Sequence, residues 1–267
     1  MITVTNLQKS YGRLKVLDNL SVQLNAGQAV SLIGPNGSGK TTFIKSILGM
    51  VMPDGGEISF LGEPIHNGWQ YRQQIGYMPQ IGRYPDTMKI RQVFDMIKDL
   101  RQSTQGKNSL LQLDEELIEA FELSKLYDKT MRSLSGGTRQ KVSACLAFLF
   151  NPKVLIMDEP TAGLDPLAAE LLKAKILREK AKGKLILITS HVMSDLDELT
   201  TAVMYLQDGQ LQFFTDVDRL KADTGEEKLG RAIARVMSRG KLSAYERLSE
   251  SFAVTNTHSI VQSSNQK

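Results

Sequence analysis

Gly34-Pro35-Asn36-Gly37-Ser38-Gly39-Lys40-Thr41 fits the pattern G-x-x-x-x-G-K-[ST] and decides how the rest of the chain is read. Its setting matters as much as its letters. The short apolar run Gln28-Ala29-Val30-Ser31-Leu32-Ile33 before it reads as a strand, and Thr42 to Met50 after it reads as a helix. Glycines let successive backbone N–H groups curl around an anion, and the helix N-terminus adds the positive end of its dipole. Lys40 is placed to reach the β and γ phosphates of a nucleotide and Thr41 to hold Mg²⁺ through its hydroxyl, with Thr42 counted among the nucleotide-binding residues. The motif by itself specifies a P-loop nucleoside triphosphatase and nothing narrower.

Downstream, Val154-Leu155-Ile156-Met157-Asp158-Glu159 is an apolar strand that ends in two acids. In a parallel sheet the C-terminal tip of a strand faces the ligand crevice. Asp158 is therefore expected to bind Mg²⁺, through water, and Glu159 to polarise the attacking water.

Further strand and helix signals alternate, which reads as α/β. Lys184–Thr189 forms another continuous apolar run suited to a sheet covered on both faces. Asp208-Gly209 turns a hairpin between Val203–Leu206 and Leu211–Phe214, and Pro53-Asp54-Gly55-Gly56 turns the chain into a strand at Glu57–Leu61. That strand is expected to be one side of a hairpin with the N-terminal strands. From about 87 to 150 the pattern is helical. Val93, Ile97 and Leu100 share one spacing, Ser103–Ser109 reads as a polar loop, Asp114–Phe121 as a helix, and Val142, Leu146 and Leu149 stripe another. Leu229 to Met237 reads as one amphipathic helix. Thr255–Lys267, rich in Ser, Asn and Gln, reads as a disordered tail.

Bulk composition sets bounds. The chain has 267 residues, 41% apolar and 23% charged, ordinary for a globular protein. A net charge of +4 leaves no strong footprint for nucleic acid. The single cysteine, Cys145, excludes an intrachain disulfide and reads as core packing. The eleven methionines are scattered, and Met50, Met52 and Met78 are expected in the core. Three histidines and one cysteine far apart give no transition-metal site. The start shows no secretory signal, and no stretch approaches the ~20 apolar residues of a membrane helix.

Five more features, taken in order with those above, resemble the ABC (ATP-binding cassette) ATPases over about residues 2 to 215. Leu134-Ser135-Gly136-Gly137-Thr138-Arg139-Gln140-Lys141 is similar to the family signature, with Thr138 where glutamine is usual. Gln80 follows a strand as the family's Q-loop glutamine does. Ala162-Gly163-Leu164-Asp165 after Pro160 matches the D-loop, His191 after Thr189-Ser190 the switch histidine, and Tyr11 the aromatic that stacks on adenine.

The resemblance implies a RecA-like parallel-sheet core with an N-terminal antiparallel β subdomain (1–80 and 151–217) and an inserted α-helical subdomain (81–150). Residues 218–267 would be an extension: one helix, then the tail. It implies ATP and Mg²⁺ as ligands and an ATP-dependent head-to-tail homodimer. In that dimer Ser135, Gly136 and Gly137 of one chain face the γ-phosphate held by the other. His191 would hold the γ-phosphate, Gln80 would touch Mg²⁺ or the water, and Asp165 would contribute to the nucleotide site. A separate membrane permease would make the protein peripheral on the cytoplasmic face of the cell membrane. Ile81–Pro85 and Thr138–Lys141 look like exporter-type subunits, closest to the copper-associated ATPases that help mature nitrous-oxide reductase. The competing reading is a soluble ABC ATPase acting on nucleic acid or ribosomes. Such proteins usually carry two cassettes, long coiled coils or zinc modules, and none is seen here. A kinase-like P-loop enzyme would leave Leu134–Thr138 and His191 without a role.

Overall fold

The computed structural model describes residues 1–105 and 112–238. Contacts divide the chain into two compact units, Met1–Asp216 and Val217–Lys267.

The first unit holds two sheets. One is four-stranded and antiparallel, in the order β2-β1-β4-β5, built from β1 (Ile2–Tyr11), β2 (Leu14–Leu24), β4 (Gly55–Phe60) and β5 (Glu63–Pro64). The strand after Pro53-Asp54 pairs antiparallel with the N-terminal strand β1, as expected, in register Val4 against Ile58, and also forms a short local hairpin with β5. The other sheet has six strands in the order β10-β9-β3-β8-β7-β6. Here β3 is Ala29–Ile33, β6 Ile75–Met78, β7 Val154–Asp158, β8 Leu185–Thr189, β9 Ala202–Gln207 and β10 Gln210–Asp216. All neighbours are parallel except the β9–β10 hairpin. Every residue of β3 and β8 is buried, as their unbroken apolar composition requires when both faces are covered. Apolar side chains of both sheets join Phe43, Ile44 and Ile47 of α1 (Lys40–Ile47) in one core cluster.

Between β6 and β7 the chain makes a helical insertion of α2 (Ile90–Gln105), α3 (Glu116–Ala120) and α4 (Gly136–Phe148). After β7 comes α5 (Pro166–Ala181), with Pro166 at its start, and after β8 comes α6 (Met193–Leu199). The expected α/β class and its two subdomain types are present.

Several local expectations are corrected. Helix α1 begins at Lys40 and stops at Ile47, because Gly49 turns the backbone left-handed at φ 64°. Met50 and Met52 then project outward, 62% and 69% exposed, and only Met78 is core. Helix α2 continues through Ser103 to Gln105, where a loop was expected, and the rest of that loop lies outside the described residues. Leu100 is exposed although Val93 is buried, so the apolar stripe of α2 is shorter than its spacing suggests. Helix α3 is a short piece of the expected 114–121 helix. Cys145 is buried, and burial pushes its thiol far above the ordinary value.

In the second unit α7 (Val217–Thr224) precedes a helical stretch over 229–238, in which Leu229, Ala232 and Ile233 are buried. The expected tail at 255–267 lies outside the described residues.

Candidate functional site

The β3–α1 loop forms the floor of a cavity of about 480 Å³. Gly39 is needed there for two reasons. Its φ is 101°, and a Cβ on it would meet the Val16 carbonyl oxygen at 2.6 Å. The loop therefore packs against β2, and the Ser38 N–H closes a turn within it on the Pro35 carbonyl at 3.1 Å. Lys40 Nζ donates to the carbonyls of Gly34 at 2.7 Å and Pro35 at 3.0 Å. Burial pulls Lys40 below the ordinary lysine value, and the nearby charges of Asp158 and Glu159 oppose that pull. The Ser38 hydroxyl is buried without a hydrogen-bond partner and lines the cavity, which suits an anion acceptor arriving there.

The far wall comes from the C-terminal tips of the parallel strands, the crevice such sheets use for ligands. Asn36, Gly37, Ser38, Gly39, Lys40, Thr41 and Thr42 share the cavity with Gln80 beyond β6, Asp158 at the end of β7, Glu159 just past it, and His191 beyond β8. Residues 152 positions apart in the sequence are neighbours here because β3 pairs with β8.

Register fixes the acids. Asp158 stands opposite Thr189 across β7–β8, and the Thr189 hydroxyl donates to Asp158 Oδ1. The same hydroxyl oxygen accepts from the Glu159 N–H at 3.2 Å, and the Thr189 carbonyl accepts from it at 3.0 Å. Glu159 has φ 53°, a left-handed backbone on a side chain that disfavours it. Its carboxylate accepts the His191 backbone N–H at 3.2 Å and lies 3.4 Å from His191 Nε2. A buried carboxylate against an exposed imidazole is a workable pair for handling a water proton.

Other expected residues lie apart from this cavity. Tyr11 ends β1, is 52% exposed, and has Lys9 Nζ 5.5 Å from its ring centroid. Leu14 and Val16 of β2 line the cavity instead. Ser135 caps α4, its hydroxyl accepting the Thr138 N–H at 3.2 Å and meeting Thr138 Oγ1 at 2.9 Å. With Gly136 it is exposed, so the first turn of α4 faces outward. The Asp165 carboxylate caps α5 through the Ala168 N–H and pairs with Lys141 at 2.6 Å. The Lys141 hydrogen bond, then that of Ala168, holds Asp165 below the usual carboxylate range. Sequence reasoning missed Leu14, Val16 and Thr189 in the lining. Only the alternation of β2 and the strand end beside His191 pointed to them.

Comparison with known proteins agrees with this geometry. Residues 17–162 match the family model described as ABC transporter. The chain is 34% identical over 211 residues to a Nod factor export ATP-binding protein I of Burkholderia orbicola, covering 78% of this chain and 68% of that one. A solved ATP-binding subunit of an ABC transporter superposes with TM-score 0.79 at 28% identity, over 89% of this chain and 99% of that one. A dimeric ATP-binding cassette in a post-hydrolysis state, bound to ADP and Pi, shares the fold with TM-score 0.70 at 22% identity, over 81% and 98% of the two chains.

Proposed function

The chain belongs to the ABC transporter family as an ATP-binding, ATP-hydrolysing subunit, and we propose that two copies of it close head to tail on ATP to drive a separate membrane permease. The observation that carries this is the single cavity that gathers Lys40, Thr41, Gln80, Asp158, Glu159 and His191.

In this reading the loop N–H groups, the α1 dipole and the Lys40 ammonium hold the phosphates. Glu159 takes a proton from the water as its oxygen attacks the γ-phosphorus, and ADP leaves with the bridging oxygen. His191 holds the Glu159 carboxylate and the γ-phosphate in place. The donor set of Thr41 hydroxyl, Gln80 amide and Asp158 carboxylate is all oxygen, which fits Mg²⁺. The ion's role would be to neutralise phosphate charge. Ser135, Gly136 and Gly137 at the start of α4 supply a second anion-facing helix end to the partner's nucleotide, giving two equal sites in a C2 pair.

Among the described residues no helix is long and apolar enough to cross a membrane, so in this reading the permease is another chain and the subunit lies peripherally on the cytoplasmic face of the membrane. Relatives named as Nod factor export ATP-binding proteins support an exporter-type system. Ile81–Pro85 and Thr138–Lys141 support the finer reading of a system linked to copper-enzyme maturation, in which the membrane partner selects the cargo.

The test is the solution mass of Glu159→Gln by light scattering, with and without Mg-ATP. The mass should double with ATP. A mass that stays monomeric at saturating ATP rules out a sandwich that ATP alone can close.

A further inference from the structure

Three residues of α4, Gly137, Gln140 and Lys141, have the spacing i, i+3, i+4 and so lie on one face of the helix. All three meet the segment from Glu159 to Asp165. A Cβ on Gly137 would come within 2.6 Å of the Gly163 carbonyl oxygen, so the two backbones touch there. Gln140 Nε2 donates to the Glu159 carbonyl at 3.3 Å in a buried hydrogen bond. Lys141 Nζ lies 2.6 Å from Asp165 Oδ2. Of the three, Gln140 is the buried one, 6% exposed. An apolar side chain would fill that space without the penalty of desolvating an amide, so the amide's reason for being there is its acceptor.

That acceptor belongs to the strained residue of the site. A left-handed backbone at a non-glycine persists only where its surroundings over-determine it. The peptide groups of Glu159 are fixed on both sides: its N–H by the carbonyl and hydroxyl of Thr189, its carbonyl by the Ala162 N–H at 3.2 Å within the same turn and by Gln140 from α4. The direction in which the carboxylate leaves the backbone follows from these anchors, and Gln140 is the side chain among them that comes from the helical insertion.

We propose that Gln140 is a positioning residue for Glu159, holding the left-handed backbone from which the carboxylate is aimed. It makes α4 a rigid arm within one chain. Ser135 and Gly136 stand at one end of the arm, and the carbonyl of the water-polarising residue is fastened one turn further on. The proposal rests on the reading of Glu159 given above.

The experiment is a cycle of four full-length proteins: the parent, Gln140→Met, Glu159→Gln and the double variant. Steady-state ATPase, nucleotide affinity and thermal unfolding are measured on each. Gln140→Met should lower kcat roughly ten- to a hundred-fold, the size expected when a reacting group is misplaced by a fraction of an ångström to an ångström. Nucleotide affinity should stay within about two-fold, since no phosphate contact is lost. In the Glu159→Gln background the same substitution should leave residual turnover unchanged, because the group it aims is already gone. Should Gln140→Met not fold, Gln140→Asn keeps an amide in the site but draws it back by one methylene, and the same loss is expected. An unchanged kcat overturns the proposal. So does an equal fold-loss in both backgrounds, which would mean that Gln140 acts through packing. Full turnover in Glu159→Gln alone overturns the reading beneath it, and is recognisable because Gln140 is then untouched.

Discussion

Lys175→Met should destabilise the protein more than any other single charge removal on α5. The Lys175 side chain is 1% exposed, and its ammonium lies 2.5 Å from Asp114, 2.8 Å from Glu116 and 3.2 Å from Glu179. It thereby ties the helical insertion, which carries both Asp114 and Glu116, to a core helix. Removing one partner of a buried ion pair costs about 3–5 kcal/mol. Here the loss is smaller, because Glu179 keeps Lys182 and Lys184 and Glu116 keeps Arg178. Asp114 alone loses its only such partner among the described residues. An effect of about 2–3 kcal/mol follows, or about 5–10 °C in a melt of a domain this size. Lys175→Met with Asp114→Asn should recover part of it. The pH dependence has a definite sign. Burial by itself would raise Glu179, but the hydrogen bonds from Lys182 and Lys184, with the charges of Lys184 and Lys175, hold its carboxyl down at about 2. A depressed acid stabilises the fold above its unfolded value of about 4.5, and that contribution is lost as pH falls from there towards 2. The gap between parent and Lys175→Met should therefore narrow in acid. A melt at pH 7 that moves by less than about 1 °C, or a gap that widens below pH 4.5, would refute the reasoning.

Lys40→Ala should abolish nucleotide binding in a titration calorimeter while leaving the melting temperature of the apo protein close to the parent's, since among the described residues the ammonium hydrogen-bonds only loop carbonyls. Glu159→Gln should keep ATP affinity and lose on the order of 10²–10⁴ in turnover, checked by phosphate release. Gly39→Ala should lose both nucleotide binding and about 1–3 kcal/mol of stability, because its φ of 101° and the Val16 carbonyl 2.6 Å from any Cβ leave no relaxed alternative. A Gly39→Ala protein with parental affinity would remove the loop's shape from the account.

Much of the site was legible because its pieces are local. A phosphate loop is eight consecutive residues in a strand–helix setting, and Asp158-Glu159 ends its own strand. Each can be read without knowing the sheet order. What the sequence concealed was burial. Met50 looks like the end of a core-packed helix with Met52 packing just past it, but a left-handed Gly49 ends α1 first and both turn outward. Lys173, Lys175 and Glu179 are charges that ordinarily sit in solvent, yet on α5 all three are at most 9% exposed. Periodicity reports which face is apolar. It cannot report that a charged face has found its counter-charges about 60 residues away, as Lys175 has in Asp114 and Glu116.

The same limit explains Gln140. Within its octapeptide it looks like one more polar residue following a glycine turn. Its meaning depends on β7 lying between β6 and β8, with the helical insertion returning so that α4 packs beside the exit of β7. Thr189 becomes relevant for a related reason: β8 adds to β7 in register, so its last residue reaches both acids at once. Besides the local Ala162 N–H, the left-handed Glu159 is therefore held by two distant residues recruited from opposite directions along the chain, 19 before it and 30 after it. A backbone that disfavoured needs restraint from more than one side, and only the assembled sheet supplies it. The residues that perform the chemistry are readable from motifs, whereas those that aim them become readable once strand order is known.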